Sequence, residues 1–190
     1  MKEIKTSIDI ETTGLDWFNH EIIQIAVVPF ENFKPVGKFV SYVKPLKPEL
    51  ATEEAMKINK LNLEDLKKAP TPFQVKGMFL NWKNEMFGEE TIFAPLGCNY
   101  GSLDGPMLKL FFSSDIYDLH FSHRVLDITS IGRFLIDTGD IEKVGFTNLL
   151  KYFNVECPNM HDAYSDAVAT IEIYKKMVEM KKFYYKKSGL

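Results

Sequence analysis

The chain has 190 residues, 45% hydrophobic and 13% aromatic, with a formal net charge of −3. That length suits one domain able to bury roughly two thirds of its unfolded surface. The composition excludes disorder as the main state, and no apolar run approaches the roughly 20 residues of a membrane span. Met1-Lys2-Glu3-Ile4-Lys5 lacks the apolar stretch and cleavage site of a signal peptide, so a soluble, cytoplasmic protein with no membrane association is expected. Cys98 and Cys157 form no C-x-x-C pair, which argues against a zinc site or a disulfide framework and leaves two reduced thiols. Lys175 to Lys187 holds six lysines and Glu179, a local balance of +5, so the remainder carries −8. A polyanion binder can therefore be acidic overall.

Ile4 to Ile10 reads as a strand that runs into Asp9-Ile10-Glu11-Thr12-Thr13-Gly14. Alternation points Asp9 and Glu11 one way, and Ile8 and Ile10 toward a core on the other side. Two acids so close repel each other and call for a cation, although an isolated D-x-E also fits a solvated strand end. After a loop from Leu15 to His20, Glu21 to Phe30 is apolar on both faces, as in a central strand. Val36 to Pro45 reads as a third strand, giving an antiparallel meander.

The period then changes. Asn62 suits the N-cap of a helix from Leu63 to Ala69, and Thr71-Pro72-Phe73-Gln74 combines a capping box with proline at the first helical position. Val75, Phe79, Trp82 and Met86 follow at the spacing of one buried helix face, closed by Gly88. Thr91 to Gly97 is a fourth strand, Leu103 to Phe112 a helix, and Val125 to Asp127 a short fifth strand. Ile128, Ile131 and Leu135 mark another helix ending near Gly139. A short helix spans Thr147 to Phe153, and the last helix carries Ala167, Ile171, Tyr174 and Val178 on its buried face. Strands followed by alternating strands and helices indicate an α/β fold with a mixed sheet covered by helices.

Further acids stand at element ends. Asp104 follows the loop from Gly97 to Leu103, where α/β folds place ligands, though it equally suits a helix cap. Asn99 in that loop fits either a turn or a substrate contact. His161 and Asp166 are five apart, roughly 140° around a helix, so they cannot share one helix face. His161 must precede the helix, with Asp162 as its N-cap and Asp166 just beyond the first turn. A lone loop histidine is more often a surface group, and His20, His120 and His123 are read as such.

Taken in order, Asp9-x-Glu11-Thr12-Thr13-Gly14, Asn99-x-x-x-x-Asp104 and His161-x-x-x-x-Asp166 resemble the three motifs of the DEDDh 3′ to 5′ exonucleases, which include polymerase proofreading domains and RNA-trimming enzymes. Glu21-Ile22-Ile23-Gln24-Ile25 and Leu149 to Val155 are similar to the family's second strand and to the helix before its third motif. The likeness spans about Ile4 to Met180. Cys98 and Leu103 stand where the second motif often has a histidine and an aromatic residue.

The resemblance implies a ribonuclease H-like five-stranded sheet of order 3-2-1-4-5 with strand 2 antiparallel, an exonuclease domain over residues 1–180, and a basic, aromatic tail over 181–190. It implies that Asp9, Glu11, Asp104 and Asp166 hold two divalent ions, Mg2+ or Mn2+, and that His161 is the general base. Carboxylates are the hard oxygen ligands such ions prefer, and two ions can stabilise the attacking and leaving oxygens of a phosphodiester. Thr12, Thr13 and Leu15 would abut the terminal nucleotide, the threonine hydroxyls equally suiting a brace for the turn. The tail from Lys181 to Lys187 interleaves base and aromatic as single-strand grooves do, or packs as an ordinary chain end. The expected partner is the 3′ end of single-stranded DNA, or RNA in a trimming enzyme, with a polymerase served in trans for DNA proofreading or repair. A non-catalytic nucleic-acid-binding module is the competing class, and it would tolerate loss of an acid.

Overall fold

The computed structural model describes residues 2–188, with side chains described through Met180. β1 (Glu3–Thr12) and β2 (Ile22–Glu31) form an antiparallel pair, with Ile8 opposite Val27 and Ile10 opposite Ile25. β2 is buried throughout except for Glu31, as its two-sided apolar sequence requires. The expected third strand is in two pieces, β3 (Lys34–Pro35) and β4 (Phe39–Tyr42), both antiparallel to β2. The Val36 N–H still donates to the Pro29 carbonyl at 2.8 Å, but Pro29 has no N–H to return, and the pairing lapses until Phe39.

From Thr52 the chain turns helical. α1 (Glu53–Asn59), which the apolar periodicity did not reveal, starts where the Thr52 hydroxyl accepts the Ala55 N–H at 3.2 Å. α2 (Leu63–Leu66) begins at Asn62, whose side chain accepts the Glu64 N–H, and it stops one turn short of the expected Ala69. The capping box at Thr71 and Gln74 is formed at the start of α3 (Pro72–Phe87). Its buried face differs from the expected stripe. Val75 and Phe79 are fully buried and Trp82 partly so, but Met86 is exposed and Lys83 takes the next buried position. The Lys83 stem packs inside while its ammonium donates to the carbonyls of Gly88 and Glu89 at the helix end.

β5 (Ile92–Gly97) runs parallel to β1 and β6 (Leu126–Asp127) parallel to β5. Between them lie α4 (Asp104–Phe112) and α5 (Ser114–His120), the second not anticipated. The helix expected near Ile128 is divided into α6 (Ile128–Gly132) and α7 (Phe134–Asp137). α8 (Phe146–Phe153) and α9 (Ala163–Ser188) complete the chain. The lysine- and tyrosine-rich stretch 181–187 has its side chains outside the described residues.

The path β3-β2-β1-β5-β6, with β4 also on β2, is the expected 3-2-1-4-5 order, the split third strand bringing the count to six. One face of this sheet is covered by α3, α4 and α5 through Phe79, Met107, Leu108, Phe112 and Tyr117. The other is covered by α6, α7, α8 and α9 through Ile128, Leu135, Leu149, Ala163 and Ala167. The fold is a mixed α/β sheet flanked by helices. Among the described residues no helix is long and apolar enough to cross a membrane.

Candidate active site

The parallel strands β1 and β5 end at the same edge of the sheet, and the chain leaves them in opposite directions, toward β2 and toward β6. That arrangement opens a crevice beyond the strand ends. β1 supplies the first acids. Asp9 lies opposite Ala26 and Glu11 opposite Gln24, both on the α9 side, and the register slips between Glu11 and Thr12 where the strand leaves the ladder.

The loop after β1 is braced by its own polar groups. The Thr12 hydroxyl donates to the Gly14 carbonyl at 2.8 Å, and the Thr13 hydroxyl accepts the Glu21 N–H at 2.9 Å. Asn59 of α1 donates to the Thr12 carbonyl. His20, expected on the surface, is half-buried: its Nδ1 accepts the Asp16 N–H, and its ring leaves only 2.5 Å for a Cβ at Gly14. Any larger residue there would push the His20 ring off its bond to Asp16. Both threonines are buried, whereas Leu15 is 78% exposed.

Asp104 is the first residue of α4 rather than its cap, and it is buried. The loop leading to it wraps around Tyr100, whose hydroxyl bonds that of Tyr117 at 2.7 Å and whose carbonyl accepts the Gly105 N–H. Asn99, at φ 57°, faces away from a free role: its side-chain oxygen accepts the Thr129 hydroxyl, which also bonds Asp127. Asp127 caps α6 through the Thr129 and Ser130 N–H groups.

The third group rides on the start of α9. Asp162 accepts the Ser165 N–H at 3.0 Å, the N-cap expected of it. Gln24 of β2 fastens this turn to the sheet, donating to Asp162 at 2.8 Å and accepting the Ala163 N–H at 3.1 Å. His161 precedes the helix in the left-handed region, φ 70°, and its N–H donates to Asp166 at 3.1 Å. The other Asp166 oxygen accepts the Cys157 thiol at 3.1 Å. Ligand atoms of Glu11, His161 and Asp166 lie within 4.8 Å of one another, a spacing that one cation could bridge.

Electrostatics join Asp9 and Asp104 to this group. Burial lifts the Asp9 carboxyl well above the usual range, and the charges of Asp104, Asp166 and Glu11 raise it further. Burial, then the charges of Asp166 and Asp104, push Glu11 up to about 8. Asp104 is raised by burial and partly pulled back by N–H bonds from its own backbone and from Ile10. Burial also raises Asp166, against the Cys157 and His161 hydrogen bonds. The thiols of Cys98 and Cys157 rise to about 12, each from burial first and then, for Cys157, its bond to Asp166. Burial and mutual repulsion raise the proton affinity of all four carboxylates, a strain that divalent cations would relieve.

Gln24, Asp127 and Cys157 were not expected as site residues from the sequence. Gln24 had a signal, as the one polar residue between Ile22 and Phe30, and Asp127-x-Thr129 is cap-like. Nothing local marks Cys157.

The fold is that of the ribonuclease H-like exonucleases. Residues 6–95 match the RNase_T family model, described as exonuclease. Over 171 residues the chain is 30% identical to the PolC-type DNA polymerase III of Caldanaerobacter subterraneus subsp. tengcongensis, covering 90% of this chain and 11% of that protein. The structure of exonuclease I superposes with a TM-score of 0.76 at 19% identity, over 94% of this chain and 41% of that one. E. coli exonuclease I in complex with a dA16 oligonucleotide superposes at 0.73 and 18%, over 94% and 41%. The chain thus spans about a tenth of the curated polymerases it matches. These matches support the resemblance of the three motifs to the DEDDh-type exonuclease family.

Proposed function

We propose that this chain is a metal-dependent 3′ to 5′ exonuclease that hydrolyses single-stranded DNA from its 3′ end to nucleoside 5′-monophosphates. The observation that carries this reading is the convergence, from three separate stretches of chain, of Asp9, Glu11, Asp104 and Asp166 with His161 beside them. Glu11, His161 and Asp166 have ligand atoms within 4.8 Å, and the acids raise one another's proton affinity. Four hard oxygen donors fit two Mg2+ or Mn2+ ions. When bound, such ions stabilise the charge that builds on the attacking and leaving oxygens.

The chain's own groups do the rest. His161 is held by its backbone to Asp166 while its imidazole is free to take the proton of the attacking water. Water adds to the phosphorus between the last two nucleotides, the P–O3′ bond breaks, and the 3′ oxygen leaves on the shortened strand. Leu15, exposed in the loop that follows β1, abuts the terminal nucleotide. Thr12 and Thr13 shape the turn that presents it, and Asn99 fixes the Asp104 loop through Thr129. The likeness to PolC-type polymerases suggests proofreading or repair service to a polymerase.

The test is a time course on 5′-labelled single-stranded DNA and RNA with Mg2+, Mn2+ or chelator, with Asp166→Ala as the control for contaminating nuclease. A ladder that shortens one nucleotide at a time, absent in chelator and in the variant, is expected. A faster ladder on RNA would reassign the substrate to RNA trimming. Binding without cleavage by the metal-loaded, folded chain would overturn catalysis in favour of a binding module.

A further inference from the structure

Two large rings stand outside the machinery assigned so far. In the loop between β1 and β2, Trp17 and Phe18 stack on each other, centroids 4.2 Å apart and planes inclined by 26°, with Phe18 72% and Trp17 37% exposed. Exposed aromatic surface is unfavourable, at about 25 cal/mol per Å2, and a flexible loop would fold it away. This loop is fastened. Asp16 accepts the Phe18 N–H at 3.0 Å and the Asn19 side chain at 2.7 Å; its carbonyl accepts the His20 N–H at 2.8 Å. The Asp16 N–H in turn donates to the His20 ring that sits on Gly14. A pedestal of local hydrogen bonds thus holds a stacked pair outward, in the loop that follows the strand carrying Glu11.

The pair also has somewhere to lead. Trp17 forms one wall of a cavity of about 510 Å3 whose other walls include Tyr100, Gly101, Gly105, Pro106 and Lys109. Gly105 directly follows Asp104 at the start of α4, so the cavity flanks the turn that carries that acid. Its volume lies within the range of small-ligand sites, and glycines at its inner wall let a sugar-phosphate backbone approach closely. The Lys109 ammonium at its side, paired with Asp118 at 3.0 Å, gives the cavity a positive group of the kind that suits a phosphate.

Resting on the exonuclease reading, we infer that Trp17 and Phe18 are a base-stacking platform for the single strand upstream of the scissile phosphate. The ligand class is an unpaired oligonucleotide of at least three or four nucleotides, taken without regard to base identity, because every base offers a π-face. A base still paired in a duplex cannot present that face. The platform therefore sets both a minimum substrate length and a preference for unpaired 3′ ends.

The experiment uses the full chain carrying Asp166→Ala to stop turnover and Trp82→Phe so that Trp17 is the sole tryptophan. 5′-Fluorescein dT2, dT4 and dT8 and a blunt duplex are titrated by anisotropy and by Trp17 emission. Expected are tighter binding from dT2 to dT4, quenching of Trp17 by dT4 and dT8, and neither with the duplex. Phe18→Ala, and Trp17→Ala in otherwise intact Trp82, should each weaken dT8 about tenfold and flatten the length dependence, while Trp17→Tyr keeps it. Unquenched Trp17 at saturating dT8, or an unchanged length dependence in Trp17→Ala, overturns the platform. Hydrolysis of p-nitrophenyl thymidine 5′-phosphate by the chain with native Asp166, too small to reach Trp17 and inhibited by chelator, tests the underlying reading separately. If the ester is cleaved but no oligonucleotide binds, the platform alone fails; if neither occurs, both fail.

Discussion

The two faces of the central sheet are built to opposite rules. On one, Ile4, Ile8 and Ile10 of β1 meet Phe79, Phe93, Phe112 and Phe121, with Phe79 in ring contact with five other aromatic residues. On the other, the intervening residues Ser7, Asp9 and Glu11 meet Ala26 and the alanines of α9, Ala163, Ala167 and Ala169. Large rings fill one layer, whereas small side chains bring α9 near enough for Asp166 to reach the acids of β1. The same strand thus anchors the fold with its even positions and carries the acids with its odd ones. Stability and chemistry are separated by one residue of alternation.

The sharpest way to break that separation is to mutate one residue on each face. Asp166→Ala should lower cleavage by about three orders of magnitude or more, because on the proposed reading it removes one of the carboxylates that hold the metal ions. It should leave the metal-free fold at least as stable, since it also removes a source of repulsion for Asp9 and Glu11. Phe79→Ala should do the reverse, costing about 3–5 kcal/mol of stability through the cavity it opens while the surviving folded fraction cleaves normally. Chemical denaturation alongside turnover per folded molecule reads both. Comparable stability losses in the two variants would contradict the division.

The acid face should also make the metal-free domain sensitive to pH. Glu11 titrates near 8 in the folded chain and in the ordinary carboxylate range near 4 when unfolded. Between those values the folded state keeps a proton that the unfolded state has released, so stability falls as pH rises across the window. In chelator, Tm should drop by about 5 °C or more from pH 5 to pH 8, and Mg2+ should restore it most at pH 8. A flat profile without metal would show that the acids are not crowded as described.

A subtler break is Gln24→Leu. It preserves the volume and apolar character of β2 but strips Asp162 of a donor and the Ala163 N–H of its acceptor. Stability should fall by about 1–3 kcal/mol, and turnover should fall with it, because this turn carries His161 and Asp166. Unchanged turnover would mean that α9 is positioned by its alanines alone.

The two faces also differed in how well they could be read from sequence. Alternation alone assigned Asp9 and Glu11 to one side, and the five-residue spacing put His161 ahead of the last helix, because each rests on local geometry. The stripe through Val75 and Phe79 failed at Met86 because its far end meets solvent, while Lys83 satisfied its charge on the carbonyls that close its own helix. α1 and α5 carry too few apolar residues for a period to emerge. The contacts of Gln24 with Asp162 and of Cys157 with Asp166 join residues that only the folded chain brings together, so neither had a pattern to betray it.

The smallest effect is expected at Ser7, and it tests the close approach of α9 itself. Ser7 lies on the acid face of β1 opposite Val28 and Leu96, fully buried, with a hydroxyl that has no hydrogen-bond partner among the described residues. A buried unpaired hydroxyl is a cost, so the reason for serine must be size rather than bonding. Ser7→Ala keeps the side chain small and removes the unpaired group; it should stabilise the domain by up to about 1 kcal/mol and leave turnover unchanged. Destabilisation by this substitution would mean that the hydroxyl finds a partner in solution, and that α9 is held to β1 there by a polar contact as well as by the small residues between them.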